Sequence, residues 1–125
     1  MRPQYHIRSG PEGWIAWNVK RLIALADRLP VIDVECDPLV DADPLYWFQG
    51  FNDPPSVRAV LDHARLMGAA DLSYPILLCA EGRVMDGMHR VAKALVEGQT
   101  AIRAKQFGAT PEPDFVGVHP SDLPY

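Results

Sequence analysis

The spacing of apolar residues in the first third of the chain predicts a helix followed by a strand. In "WIAWNVKRLIALADRLP", apolar residues recur every three or four positions, which predicts a helix over about 14–28 that ends before Pro30. "VIDVEC" then alternates apolar and mostly acidic residues, which is typical of a half-buried strand over 32–36. Residues 1–11 contain proline and glycine and show neither period, so we expect a poorly ordered start.

The middle of the chain predicts a long loop and then an amphipathic helix. Asp and Pro are frequent in residues 37–55, which is the composition of a loop. Ser56 is a good N-cap for a helix over 57–67. The apolar face of this helix consists of Val57, Val60, Leu61, Ala64 and Met67. His63 falls on the polar side, where we expect it to be exposed.

The last part of the chain predicts a β-hairpin, a helix and a strand. Residues 76–85 form two apolar runs around Gly82, which can adopt the positive φ of a tight turn. A helix over 89–97, a strand over 102–106 and an irregular, proline-rich tail over 108–125 follow. The inward face of the helix consists of Val91, Ala94 and Leu95. The order of elements indicates an α+β fold with a small mixed sheet, and 125 residues fit a single domain.

Composition and charge narrow the class of protein. A net charge of -4 and a pI of about 5.4 argue against non-specific nucleic-acid binding, which usually needs a basic face. No apolar run approaches the roughly 20 residues of a membrane-spanning helix, and the start has no apolar signal region. We therefore expect a cytoplasmic protein. Cys36 and Cys79 do not form a C-x-x-C pair, and we expect buried free thiols.

Polar side chains cluster where the predicted hairpin meets the next helix. In "RVMDGMHRVAKALVEG", Asp86, His89 and Arg90 surround Gly87. The first turn of a helix has free backbone N–H groups and a positive dipole end, so it binds anions readily. Arg90 can place two parallel donors on a phosphate, and Gly87 lets a ligand approach the backbone closely. The alternative is structural: Asp86 caps the helix and Arg90 pairs with a surface carboxylate.

The predicted loop carries three consecutive aromatic residues, Tyr46, Trp47 and Phe48. An aromatic and acidic loop of this length is often a functional lid or the wall of a binding site. The alternative is that the rings only close one side of the core. The sequence leaves both interpretations open.

The segment "PILLCAEGRVMDGMHRVAKALVEGQTAIRAKQF" resembles the core of the ParB/sulfiredoxin-like superfamily. In that family a hairpin leads to a G-x-x-R or D-G-x-H-R turn, a helix, a glycine and another strand. A looser resemblance extends over about 30–107 and leaves the tail over 108–125 outside. The family's turn and helix start bind nucleotide phosphates, so the resemblance implies the same for this turn.

Individual positions separate the branches of this superfamily. Met88 stands where sulfiredoxins have their reactive cysteine, and a thioether cannot replace a thiolate nucleophile. ParB proteins that bind centromeres have G-E-R-R at the turn and a DNA-reading helix-turn-helix domain downstream, which we do not expect here. The turn is closest to the D-G-H-H-R of the free-serine kinase branch, which Asp86, Gly87, His89 and Arg90 match.

The resemblance implies a set of site residues. The phosphates of ATP, ADP or CTP are expected at Gly87, Met88, His89 and Arg90. The kinase branch places a catalytic acid after the first strand, where "DADP" offers Asp41 and Asp43 and where Glu35 is a weaker candidate, although that branch's His-Glu pair is not present. Asp86 and Asp43 would then orient an acceptor hydroxyl or Mg²⁺, which needs little beyond positioning and charge neutralisation. Tyr46, Trp47 and Phe48 would form a wall for the base.

Several functions fit this set of residues. The first is a nucleotide-dependent phosphotransferase or a nucleotide hydrolase. The second is a non-catalytic ligand-binding or regulatory module that acts with a protein partner. A nuclease-like role is a minor alternative, because the acidic pI disfavours nucleic acid. Trp14 and Trp17, with the tail, are candidates for a homodimer surface.

Overall fold

The computed structural model describes residues 2–52 and 54–125, which form seven strands and four α-helices. The strands are β1 (Tyr5–Gly10), β2 (Gly13–Asn18), β3 (Ile32–Glu35), β4 (Ile76–Leu78), β5 (Val84–Asp86), β6 (Ala101–Gln106) and β7 (Phe115–Val116). The helices are α1 (Val19–Leu25), α2 (Asp37–Ala42), α3 (Val57–Ala69) and α4 (Met88–Val96), and a short 3-10 helix spans Pro120–Asp122. The predicted α+β class is confirmed.

Strands from residues 32–106 build a four-stranded mixed sheet in the order β3-β6-β4-β5. β6 pairs antiparallel with β3 and parallel with β4, while β4 and β5 form the expected antiparallel hairpin. Gly82 turns this hairpin with φ +83°. Helix α4 packs its inward face on the sheet through the fully buried Val91 and Ala94. The predictions for the strands, the hairpin and this helix are confirmed to within a few residues.

The start of the chain is ordered, contrary to our expectation. β1 and β2 form an antiparallel hairpin, and β7 from the tail adds a third strand beside β2. The predicted helix over 14–28 is therefore wrong over its first five residues. "WIAW" contains no polar residue, so its period was ambiguous. Helix α1 begins only after Asn18, whose side chain accepts a hydrogen bond from Arg21 N at 3.2 Å.

The predicted loop over 37–55 also contains a helix. Cys36 directly follows β3 and is the N-cap of α2, and Pro38 lies in the first turn, where proline is tolerated. Leu39 of this helix is buried against the sheet. The frequent Asp and Pro residues indicated a loop, but in this arrangement they begin a short helix.

The tail packs along the domain rather than extending from it. Trp17 Nε1 donates a hydrogen bond to the carbonyl of Pro111 at 2.7 Å. Asp114 accepts from the backbone N of Asn18 and from Arg21, both at 2.7 Å. Trp17 is thus buried at 5% exposure and unavailable as a dimer surface, whereas Trp14 is half-buried against Phe51.

Helix α3 presents a different face to the protein than its apolar pattern indicated. Ser56 caps it as predicted, accepting from Ala59 N at 3.1 Å. Val57, Val60 and Leu61 are exposed, at 78%, 51% and 44%. The half-buried residues of α3 are instead Ala59, His63 and Met67, and His63 faces α4. The expectation that His63 is exposed was wrong, because aromatic rings from the preceding loop and from α4 surround it.

Both cysteines are free and fully buried, as predicted. Cys36 packs beside α4, and Cys79 packs on the opposite side of the mixed sheet with Trp17. No helix among the described residues is long and apolar enough to cross a membrane.

Candidate functional site at the start of helix α4

The turn between β5 and α4 requires glycine at position 87. Gly87 has φ +105°, which side-chain-bearing residues rarely adopt. A Cβ atom there would lie 2.6 Å from Cγ2 of Ile76 and 3.1 Å from Cζ of Arg90. The glycine therefore lets the chain reverse tightly over β4 and begin a helix at once.

The first turn of α4 has no side-chain cap among the described residues. Asn18 caps α1 and Ser56 caps α3, whereas α2, like α4, begins without a side-chain cap from the described parts of the chain. The Gly87 carbonyl accepts from the N–H groups of Arg90 and Val91, which leaves the earlier N–H groups without an intrahelical acceptor. Such a helix start carries partial positive charge and free donors, the two properties that an anion needs.

Arg90 is held by the protein itself. Its Nη2 donates to Asp86 Oδ2 at 2.9 Å, and its Nη1 donates to the carbonyls of Tyr74 and Pro75 at 3.0 and 2.8 Å. The side chains of Arg90 and Asp86 are 17% and 21% exposed. Arg90 thus links the turn to the segment that leads into β4. The ion pair of Arg90 with Asp86 agrees better with a structural role for Arg90 than with a guanidinium that is free to bind phosphate.

The Met88 side chain belongs mainly to the core, and its small exposed part lines a second cleft of about 440 Å³ beside Trp47 and Leu95. This side chain is 5% exposed and packs with Ile76 and Val91. Only the backbone of Met88 is therefore placed to contact a phosphate.

His89 points toward α3 and forms a pair with His63. The distance from His63 Nδ1 to His89 Nε2 is 2.8 Å, and the two rings are nearly coplanar at 19°. Trp47 covers one face of this pair, at 4.5 and 4.6 Å from the two imidazole centroids and within 15° of parallel. With imidazole centroids 5.1 Å apart, these distances place the indole about 3.8 Å above the middle of the pair, which is stacking contact. We refer to His63 and His89 together as the histidine pair.

Both imidazoles of the histidine pair are neutral at pH 7. Burial first and the proximity of His63 second lower the pKa of His89 to about 4. Burial also lowers the pKa of His63, although the carboxylate of Asp62 opposes this effect. Phe48 packs edge-on against His63, with centroids 5.3 Å apart. Trp47 and Phe48 thus contact the pair, and the indole N–H of Trp47 is buried with no acceptor among the described residues.

Tyr46 and Asp43 lie in a second polar cluster, against β1. The Tyr46 hydroxyl is 3.1 Å from Nδ1 of the buried His6, and Arg8 Nε donates to His6 Nε2 at 2.8 Å. Burial lowers the pKa of His6 to about 3 and raises the pKa of Tyr46. Asp43 accepts two hydrogen bonds from the guanidinium of Arg83, one of them from Nε at 3.0 Å. Asp43 is therefore engaged in an ion pair.

The remaining candidate acids lie on the surface. Asp41 is exposed near the end of α2, and Glu35 is exposed on β3. The described residues contain no group of three or more His, Cys, Asp or Glu side chains that could hold a metal ion.

A cleft of about 390 Å³ opens beside the turn. Asp86 and Arg90 line it, together with Tyr74, Pro75 and Lys105. The Tyr74 ring is 65% exposed at this cleft, and Lys105 donates to the carbonyls of Ala26 and Asp27. The volume of this cleft lies within the range of about 300–1,000 Å³ that is common for small-molecule sites.

The structure brings some predicted site residues together and separates others. Asp86, Gly87, His89 and Arg90 lie together at the turn. Asp43 and Tyr46 belong to the cluster around His6, where burial first and the nearby Asp86 carboxylate second raise the pKa of Tyr46. Three residues escaped sequence reasoning: His63, Tyr74 and Lys105. No local motif marks them, because they reach the turn from other elements of the fold.

Comparison of the chain with known protein families, with curated proteins and with solved structures gives no significant match. The likeness to the ParB/sulfiredoxin-like superfamily therefore depends on the residues of the turn and stays a prediction.

Proposed function

We propose that this protein binds the phosphate groups of a nucleotide at the N-terminus of α4. The observation that carries the proposal is the glycine-led first turn, which has no side-chain cap among the residues described. Backbone N–H groups of Met88 and His89 supply donors, and the His89 imidazole adds a third. The likeness of Asp86–Arg90 to the D-G-H-H-R turn supports the same role.

Arg90 has a different role in this proposal from the phosphate fork expected at first. It orients the turn through Asp86 and through the carbonyls of Tyr74 and Pro75. Asp86 Oδ1 has no hydrogen-bond partner among the described residues, so it is available to a Mg²⁺ ion that arrives with the phosphates. Arg90 neutralises the other carboxylate oxygen.

The nucleoside is proposed to occupy the cleft beside Asp86 and Arg90. These two side chains belong both to the turn and to the wall of the cleft, so a ligand whose phosphates lie at the turn extends into it. The exposed Tyr74 ring offers a flat apolar surface for a base. Tyr46, Trp47 and Phe48 pack against histidines and line a different cleft, which includes Met88 but neither Asp86 nor Arg90, so the base is not assigned to them.

The geometry favours a binding or regulatory module over a phosphotransferase or hydrolase. Both carboxylates proposed as catalytic groups are paired with arginines, Asp86 with Arg90 and Asp43 with Arg83. Asp43 also belongs to the cluster around His6, where its carboxylate is engaged by Arg83. Turnover is the second candidate function, and phosphate release from ATP in the presence of Mg²⁺ tests it. Release by the wild type that disappears in Asp86→Asn, with nucleotide affinity retained, would favour an enzyme.

Thermal unfolding with ATP, ADP, CTP or GTP, each with and without Mg²⁺, tests the binding proposal. A ligand at a hundred times its Kd stabilises the fold by about 2.7 kcal/mol. His89→Gln should shift less than the wild type, because it loses an imidazole at the phosphate site. His119→Gln, on the exposed tail, is the matched control and should behave as the wild type does. No shift with any nucleotide would refute the proposal.

A further inference from the structure

We propose that His63 and His89 act as one proton-accepting unit, which takes up a single proton when phosphate binds at the start of α4. This inference rests on the proposed function and extends it, because it assigns His63 to the site and makes binding depend on pH. His63 belongs neither to the turn motif nor to the cleft beside Asp86 and Arg90. The geometry of the histidine pair carries the inference.

The two imidazoles share one proton in the neutral state. Because His63 Nδ1 and His89 Nε2 are 2.8 Å apart, one nitrogen must carry the hydrogen and the other must accept it. The outer nitrogens, His63 Nε2 and His89 Nδ1, have no hydrogen-bond partner in the part of the chain that the structure describes. An additional proton can therefore enter at an outer nitrogen without breaking the central hydrogen bond.

The surroundings disfavour that proton in the empty protein. Trp47 covers one face, Phe48 packs on the edge of His63, and burial keeps both rings neutral. From α3, Asp62 favours the charged form of His63, and it pairs with Arg65 at 3.3 Å.

Most other charged side chains near the histidine pair are engaged in ion pairs or in hydrogen bonds to carbonyls. Within α4 and its turn, Arg90 is paired with Asp86, and Lys93 donates to the carbonyls of Gly68 and Ala70. Arg58 lines the small cleft that contains His63. From residues 43–52, Trp47 and Phe48 contact the histidine pair, and neither carries a charge.

A bound phosphate reverses this balance. His89 is the second residue of α4, so negative charge at the helix start lies beside its imidazole. A nearby anion favours the charged form of a histidine, and the central hydrogen bond becomes charge-assisted. The indole face of Trp47 adds cation–π attraction. A second proton would place two positive rings in direct contact, so the uptake stops at one.

The predicted consequence is that phosphate binds more tightly as the pH falls. The slope of log K against pH equals the number of protons taken up, so affinity rises by at most about tenfold per pH unit. The rise is confined to the interval between the pKa of the empty pair and the pKa of the phosphate-bound pair.

Calorimetry in buffers of different ionisation enthalpy measures this uptake directly. The probes are ATP and tripolyphosphate, the phosphate chain common to nucleoside triphosphates, at about pH 6. Wild type and His119→Gln should take up more protons than His63→Gln, by up to one proton per site. The ligand's own protonation contributes equally to all three and cancels in the difference. His63→Gln should bind more weakly than the wild type at this pH, because it loses the proton uptake, but binding should remain measurable because the α4 N-terminus is intact.

Each outcome separates the inference from the proposed function. Binding with equal proton uptake in wild type and His63→Gln would refute the inference and leave the binding site standing. No binding of either probe to the wild type would refute the proposed function and the inference with it. If His63→Gln does not fold, the pH titration of the imidazole NMR signals in the wild type decides, because tripolyphosphate must raise the pKa of the pair. An unchanged titration would overturn the inference.

Discussion

Replacing Gly87 by alanine tests the geometry of the turn on which the site depends. Two separate costs arise. Alanine at φ +105° is strained by about 1–2 kcal/mol, as for any residue forced into the left-handed region. Its Cβ would also meet Cγ2 of Ile76 at 2.6 Å, and Ile76 is fully buried in the central part of the sheet. Overpacking of this kind costs about 1–3 kcal/mol, so Gly87→Ala should destabilise the protein by about 2–5 kcal/mol in total.

Gly98→Ala is the matched control for this substitution. Gly98 follows the last turn of α4 with φ +81°, and nothing lies within 4 Å of its ideal Cβ position. It therefore carries the backbone cost of about 1–2 kcal/mol without the steric cost. The difference between the two variants, about 1–3 kcal/mol, isolates the contacts of the added Cβ with Ile76 and Arg90.

Urea unfolding followed by circular dichroism measures both free energies. A domain of this size is expected to unfold in one cooperative step, with a slope of about 1–3 kcal/mol per molar urea. Gly87→Ala should have its midpoint at a clearly lower urea concentration than Gly98→Ala, with an unchanged slope. Equal midpoints for the two variants would refute the close approach of the turn to β4.

Three further predictions follow from the same structure. Lowering the pH from 6.5 to 4 should reduce the free energy of unfolding, because His89 has a pKa of about 4 in the folded protein and takes up its proton more readily in the unfolded chain. The free energy of unfolding of His89→Gln should fall by up to about 3 kcal/mol less than that of the wild type over this interval. Equal losses in urea titrations of the two proteins would contradict this. Arg90→Ala should lower the free energy of unfolding in urea by about 2–4 kcal/mol, because Asp86 and two carbonyls lose a hydrogen-bond donor. Arg65→Ala removes an exposed ion pair and should lower it by less than about 0.5 kcal/mol. Similar losses in the two variants would argue against the role of Arg90 in the turn. Cys36 and Cys79 should react with a thiol reagent only at the rate of unfolding, and rapid reaction of the native protein would show that the core is open.

The mixed sheet could be predicted because its local signals agree with one another. In the hairpin, apolar runs flank Gly82, and in α4 the helical period coincides with the buried positions Val91 and Ala94. Each element therefore had one consistent interpretation. The three-stranded sheet lacked this agreement, because "WIAW" is apolar throughout and its partner β7 lies about 100 residues further along the chain.

The site was only partly predictable for a related reason. Asp86, Gly87, His89 and Arg90 are close in sequence, so the turn appeared as a local pattern. His63 reaches His89 from a separate helix, and the apolar stripe of α3 pointed to a different buried face. Sequence spacing also could not indicate that Arg90 turns back to Asp86 and the carbonyl of Tyr74, since those contacts depend on where β4 begins.

The most direct test of the central claim is an amide NMR titration of the wild type with MgATP and, separately, with tripolyphosphate. The largest shifts should occur at the backbone N–H groups of Met88 and His89, and tripolyphosphate alone should be sufficient to produce them. Tyr74 should respond to MgATP but not to tripolyphosphate, because only the nucleotide carries a base. Saturable shifts that map elsewhere, or no shifts at high ligand concentration, would contradict phosphate binding at the start of α4.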